Sequence, residues 1–373
     1  MQSGDSDADV AQQLLGRVRS FARREVPQYL ADHPEEEYPE ALVSRLRDLG
    51  VFGADVPAQY GGLGCGEHTT ARLLYLLARG WQSLASLVGT HLKLCGQLLR
   101  HGTCEQRSAW LPAMASGVVI FARAYHEQGR HDPELLTTLV RDSAGRRPTL
   151  HGRKDWVTNA RHADRILALA RDGRMTVGVI VDPCAGGVEI GPELPRPGVL
   201  GVSLSTVTFD GYVFDPERDV LGGPGHDLTE SLRAGDLRSY TARAVACADA
   251  VCDHAVRFAA RTIGQRPPDA QGAIRLRIGE VRARTAAIRA VWSDLLGPAP
   301  AVGPDEAKAI CTTLLQEVVQ ACVLLCGGAG YADPHDSLGR HYRDALALPI
   351  IGVSNDVLLS RIGSLALTAG EGH

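Results

Sequence analysis

The sequence predicts an α+β chain in three blocks: an N-terminal α-helical domain, a central antiparallel β-barrel or sandwich, and a C-terminal four-helix bundle. Two observations carry this. Apolar residues recur with the 3.6-residue helical period up to about residue 117, switch to the two-residue period of strands, and return to the helical period from Asp227 onward. The interruptions are Gly-, Pro- and Asp-rich, as turns require. The expected domains are 1–117, 118–224 and 225–373. A chain of 373 residues can bury a core of that size.

In the first block, Leu14, Leu15, Val18, Phe21, Ala22 and Val26 fall on one face of a helix spanning Val10 to Tyr29. A second helix over Pro39–Leu49 stops at Gly50, and a glycine-rich loop, Pro57 to Gly64, leads to helices at His68–Arg79 and Ser83–Arg100. Thr103 and Gln106 have the spacing of a capping box, which starts the helix that closes this block near Gly117.

Strands are expected at Val118–Arg123, Thr138–Arg141, Arg165–Ala170, Met175–Val181 and Ser205–Phe209, where short β-branched or alternating runs lie between turn residues. In the third block four long helices are expected: Asp227–Ile263, Ala270–Leu296, Asp305–Leu325 and Asn355–Thr368. Small residues such as Ala242, Ala246 and Ala250 form a stripe on the first of these, suited to close helix contact.

A net charge of −4 and a pI near 6.4 give no basic field for nucleic acid or an anionic membrane, and neither partner is expected. No apolar leader and no run of about 18 consecutive apolar residues is visible, so a cytoplasmic location is expected. The nine cysteines are scattered without a paired Cys-x-x-Cys spacing and read as reduced core residues. His126, Glu127, His131 and Asp132 match no zinc spacing and read as a solvated loop; no metal is expected.

Five anchors stand in order: Pro57 to Gly64, Gly102 to Gly117, Lys154-Asp155-Trp156-Val157-Thr158-Asn159-Ala160, Phe209 to Gly222, and Gly327 to Asp344 with its Gly327-Gly328-Ala329-Gly330 turn. Together they resemble the acyl-CoA dehydrogenase family over nearly the whole chain. The resemblance implies FAD as cofactor, a small-molecule or acyl-carrier-linked substrate, and a homodimer or homotetramer in which the glycine turn cradles the flavin of a neighbouring subunit. It implies flavin contacts from Trp156, Thr158 and Asn159, from Arg261, and from Gly327, Gly328 and Gly330. It also implies an ion-pair network among Arg340, Arg343 and Asp344.

The chain departs from the family pattern at the reacting centre. The Glu expected before the Gly of the C-terminal bend is Ile351, which cannot take a proton. In a subset of the family the base comes from the first long bundle helix, and the matching position is Asp236, whose plainer reading is a helix cap. Several flavin-contacting side chains also differ: Ala124-Tyr125-His126 and Gly129-Arg130-His131 replace Thr-Glu-Pro and Gly-Ser-Asp, and Leu324 stands where a Gln is common. The expected function is a flavin-dependent dehydrogenase or oxygenase in a biosynthetic pathway. The alternatives are a flavin-free non-redox enzyme of the same fold and a non-catalytic partner subunit.

Overall fold

The computed structural model describes residues 3–128, 137–140, 147–229, 237–332 and 337–370. Five helices come first: α1 (Ser3–Asp32), α2 (Glu40–Asp48), α3 (Gly66–Gly80), α4 (Gln82–His101) and α5 (Cys104–Ala115). The apolar face read for α1 is the buried one, with Val18, Phe21 and Val26 fully enclosed against Trp81, Leu74 and Leu77. The capping box forms as the spacing predicts: Thr103 Oγ1 accepts from the Gln106 backbone N–H at 3.2 Å, and the Gln106 side chain accepts from the Thr103 N–H at 3.1 Å. Gln106 then reaches past its own helix to the carbonyl of Val220 at 2.6 Å, tying α5 to the end of the sheet.

The middle block is one seven-stranded sheet of β1 (Phe121–Ala124), β2 (Thr138–Val140), β3 (Thr149–Thr158), β4 (Arg165–Asp172), β5 (Met175–Val181), β6 (Val188–Glu193) and β7 (Leu204–Val213). It is mixed, which corrects the antiparallel expectation. β1 and β2 both run parallel to β4, along successive parts of the same edge, while β5 pairs antiparallel on the other side. β3 and β6 are strands absent from the five expected, and β6 lacks a clear strand pattern. Its short run contains Gly191 and Pro192, and it pairs only with β7 at the sheet edge, where a proline is tolerated.

The third block packs α7 (Arg238–Thr262), α8 (Pro268–Leu295), α9 (Pro304–Cys326) and α12 (Asn355–Gly370) as long helices; α6 (Pro216–Asp219) precedes them, and two short helices, α10 (Gly328–Ala332) and α11 (Ser337–Ala345), follow α9. The small stripe on α7 lets Ala244, Val245, Ala248 and Val251 pack against Val281, Ile288, Leu315 and Val318. That stripe also holds an acid: Asp249 is 2% exposed and accepts from Tyr75 on α3 at 2.5 Å and from Arg289 on α8 at 2.6 Å, joining the first block to the bundle. α9 is long and apolar enough to cross a membrane by length and composition (mean hydropathy 1.8), yet its Cys311, Leu315, Val318 and Cys322 face the bundle interior. Five of the nine cysteines fall in this bundle core as free thiols, and Cys95 is buried in another; Cys104 and Cys184 are exposed, against the core reading.

Candidate active site

A cavity of about 720 Å³ opens where the three blocks meet. One face of α4 lines it through Gly89, Thr90, Lys93 and Gln97; opposite are β3, the first turns of α7, and the bend at Ile350–Ser354. The volume falls in the range of cofactor and substrate sites.

A bulge sets the β3 wall. The β3–β7 register shifts between Lys154 and Val157, and Trp156 takes a left-handed backbone with φ 55°. Both Lys154 and Asp155 thereby turn inward, while the Trp156 indole is left 48% exposed on the cavity wall. Trp156 is therefore not packed into the core of the strand's sheet. Thr158 lines the same wall.

The inward pair fixes the neighbouring segment. Lys154, fully buried, donates to Glu127 at 2.7 Å and to the Tyr125 carbonyl at 3.2 Å, and Glu127 accepts from the Thr137 N–H at 2.9 Å. Asp155 accepts from the Gln128 N–H at 3.0 Å. Glu127 is thus a buried structural acid, a correction to its reading as part of a solvated loop; His126 is exposed and lines the cavity. His131 and Asp132 lie outside the described residues. Among the described residues no cluster of metal-binding side chains is found.

At the C-terminal bend the position read as Ile351 does line the cavity, and no carboxylate stands there. Buried Lys308 holds the bend by donating to the carbonyls of Val353 (2.5 Å) and Pro349 (3.5 Å). Gly352, with φ 74°, packs directly on Tyr240 of α7: a Cβ there would lie 2.5 Å from the ring. The Tyr240 hydroxyl accepts from Lys93 Nζ at 3.3 Å, and the same ammonium sits 4.4 Å from the ring centroid. Removal from water pushes this phenol up, but Lys93, Arg123 and Arg243 together hold it below the usual phenol range.

Arg243, one turn along α7, is 4% exposed. Its Nε donates to Gln82 at 3.0 Å, and among the described residues Nη2 has no hydrogen-bond partner. Sequence reading passed over Lys93, Tyr240 and Arg243. The signal was present: Lys93 interrupts Leu92-Lys93-Leu94-Cys95, and Arg243 stands inside the small-residue stripe of α7, both places where an apolar residue is expected.

The other expected residues are placed as follows. Asp236 lies outside the described residues. Asn159 is 2% exposed, left-handed at φ 63°, and donates its N–H to the Ser203 carbonyl at 2.6 Å; it does not line the cavity. Arg261 is exposed in the last turn of α7, and Gly327 and Gly328 are exposed at the end of α9, all away from the cavity. Of the three glycines in the turn only Gly330 is buried, and a Cβ there would meet Cys326 at 2.6 Å. Gly327 has φ 60° and ψ −141°, a conformation that needs glycine, and among the described residues nothing stands within 4 Å of a Cβ placed on Gly327 or Gly328. The expected ion-pair network also resolves differently. Arg343 pairs with Glu35, while buried Asp344 accepts the Val199 N–H at 2.6 Å and so holds the loop bordering the cavity.

Helices, mixed sheet and helices enclose a cavity whose wall carries an exposed indole. Family models for the acyl-CoA dehydrogenase N-terminal, middle and C-terminal domains match residues 9–118, 126–212 and 238–367. The chain belongs to the acyl-CoA dehydrogenase family. It is 25% identical over 353 residues to the human mitochondrial short-chain specific acyl-CoA dehydrogenase, covering 90% of this chain and 84% of the relative. With a probable acyl-CoA dehydrogenase of Bacillus subtilis it shares 30% identity over 240 residues, 62% of this chain but 40% of that protein. Butyryl-CoA dehydrogenase of Megasphaera elsdenii superposes with a TM-score of 0.85 at 21% identity, covering 96% and 98% of the two chains. FkbI, described as serving biosynthesis of the methoxymalonyl extender unit of the Fk520 polyketide immunosuppressant, superposes with a TM-score of 0.80 at 22% identity, covering 95% and 99%. Members of the family are oxidoreductases that bind FAD and act as oligomers.

Proposed function

We propose that this chain is an FAD-dependent oxidoreductase of acyl thioesters, CoA- or carrier-linked, in a biosynthetic pathway, with Tyr240 in place of residue 351 as the group that moves the proton. The observation that carries the reading is the contact between Tyr240 and Gly352. It sets a cation-supported phenol against the bend from which the carboxylate is missing.

The cavity fits the cofactor. Trp156 offers an exposed aromatic face and Thr158 a hydroxyl on the same wall, and the open backbone at Gly327 and Gly328 leaves room for a group approaching from outside the chain. We assign Trp156 and Thr158 to the flavin of their own chain. Arg261, Gly327, Gly328 and Gly330 are assigned to the flavin of a second copy, in a homodimer or homotetramer. Exposed Leu324, Tyr331, Leu365 and Leu367 on α9, α10 and α12 favour such packing. Asn159 supports the wall from behind. When bound, FAD would supply the acceptor for a hydride from the carbon next to the acidified position.

The chain's own residues do the rest. Lys93 orients the Tyr240 oxygen and favours its anionic form, so that the phenol can take a proton from the carbon beside the thioester carbonyl. Leu346, Ile350 and Ile351 give that side of the cavity an apolar lining that sheds water. FkbI's stated place in extender-unit biosynthesis supports a biosynthetic rather than a degradative role, and a cytoplasmic location accords with it.

The test is bleaching of the bound flavin at 450 nm, without oxygen, across a panel of acyl-CoA thioesters. Tyr240→Phe should slow bleaching by about a hundredfold or more while keeping FAD bound, and the rise of rate with pH should disappear. Asp236→Asn separates the other candidate base. If D236N abolishes bleaching and Y240F does not, the assignment to Tyr240 is wrong.

A further inference from the structure

Among the described residues, seven basic side chains line the cavity, Lys93, Arg100, Arg123, Arg196, Arg243, Arg343 and Arg361, against two acidic ones, Glu127 and Asp305. Several of these are satisfied within the chain. Glu127 is taken by Lys154, Arg343 by Glu35, Arg361 lies 4.0 Å from Asp305, and Arg196 donates to the carbonyls of Leu194, Val199 and Val202. Arg123 and Arg243 are different. Among the described residues neither has a carboxylate within ion-pair distance, Arg123 Nε and Arg243 Nη2 have no hydrogen-bond partner, and Arg243 is 96% buried.

A guanidinium keeps its charge in such a place: burial lowers Arg243 only to about 10, so it is cationic at neutral pH. The Tyr240 phenol and buried Asp344 act on this charge, yet no carboxylate among the described residues meets it within ion-pair distance, and Nη2 keeps a donor for an anionic oxygen. Lys93 meets the Tyr240 hydroxyl at 3.3 Å, and Arg123 and Arg243 line the same cavity and act on the same phenol.

We propose that Arg243 and Arg123, with Lys93 beside them, form an anion subsite for a carboxylate carried on the acyl chain of the substrate, so that the preferred thioester is that of a dicarboxylic acid. This rests on the thioester reading above and narrows its substrate class. The shared chemistry, an anionic oxygen group against guanidinium, also fits a phosphate of the cofactor, and the experiment separates the two.

The probes are succinyl-CoA and butyryl-CoA, which have acyl chains of equal length and differ by a carboxylate in place of a methyl; their CoA phosphates are identical and cancel. Dissociation constants are measured on the FAD-loaded protein by calorimetry. A hydrogen bond to a charged group is worth a factor of about ten to a hundred in affinity. Succinyl-CoA should therefore bind the wild type at least about tenfold more tightly. Arg243→Met should erase that preference while leaving the affinity for butyryl-CoA within about twofold and the FAD content unchanged. Arg123→Met is measured in parallel and carries the test if R243M does not fold. Equal affinities in the wild type, or variants that weaken both thioesters alike, overturn the subsite and leave the thioester reading standing. Loss of FAD from the variants assigns the arginines to the cofactor and also overturns it. Failure of both thioesters to bind the FAD-loaded protein overturns the thioester reading and the subsite together.

Discussion

His91 sits at the junction that positions α4, and replacing it with Gln should change how stability depends on pH. Its ring is fully buried; Nε2 donates to the Met114 carbonyl at 3.0 Å and Nδ1 accepts from the Phe121 N–H at 3.3 Å, so one imidazole joins α4, α5 and β1. The Phe121 contact needs an unprotonated Nδ1 and so requires the neutral ring. Burial lowers its pKa to about 4, with the Met114 contact opposing in part. The unfolded chain takes up this proton below about 6.5, whereas the folded chain does not until about 4. The folded state is therefore penalised as pH falls through that window, by about 1.4 kcal/mol per unit once well below 6.5, reaching about 2 kcal/mol at pH 5 and about 3 kcal/mol near pH 4. Gln offers a donor and an acceptor without titrating. In urea unfolding at pH 8 and pH 5, the wild type should lose about 2 kcal/mol more than H91Q between the two conditions. An equal loss in both proteins would show that the imidazole is charged or solvated in the fold, and that the junction described here is wrong.

Two further substitutions test the walls of the cavity. Burial raises Asp344 to about 6, above its ordinary 3.8, so its ionisation works against the fold as pH rises through that interval; Asp344→Asn should gain up to about 3 kcal/mol relative to the wild type between pH 3.5 and pH 7.5. Chemical denaturation at the two pH values reads this directly, and a difference between the two proteins that does not change with pH contradicts it. Gly352→Ala drives a methyl group into the Tyr240 ring at a residue with positive φ, and should cost about 1–3 kcal/mol from overpacking alone, read as a fall in melting temperature. A variant as stable as the wild type would mean that the bend does not rest on Tyr240.

Much of the fold was legible because helices announce themselves locally. Val18, Phe21 and Val26 mark the buried face of α1 by spacing alone, and the Thr103–Gln106 pair needs only four consecutive residues. The direction of β1 and β2 against β4 was not legible, since strand pairing joins residues such as Phe121 and Arg165 that no local pattern connects. Trp156 and Thr158 were readable from their motif, and Ile351 as an absence. Tyr240, Lys93 and Arg243 escaped because their meaning lies in convergence: α4 brings one and α7 the other two, and only the closed interface makes them a single site.

The central claim is that this cavity holds FAD against Trp156 even though several side chains common in the family have changed. Titrating the purified chain with FAD while following absorbance near 450 nm and Trp156 fluorescence tests it directly, with Trp156→Leu as the partner variant. One FAD per chain is expected, with tryptophan emission quenched on binding and the quenching reduced in W156L. A protein recovered colourless after saturating FAD is removed by gel filtration, with unchanged emission, would contradict the claim and leave the flavin-free reading of this fold in its place.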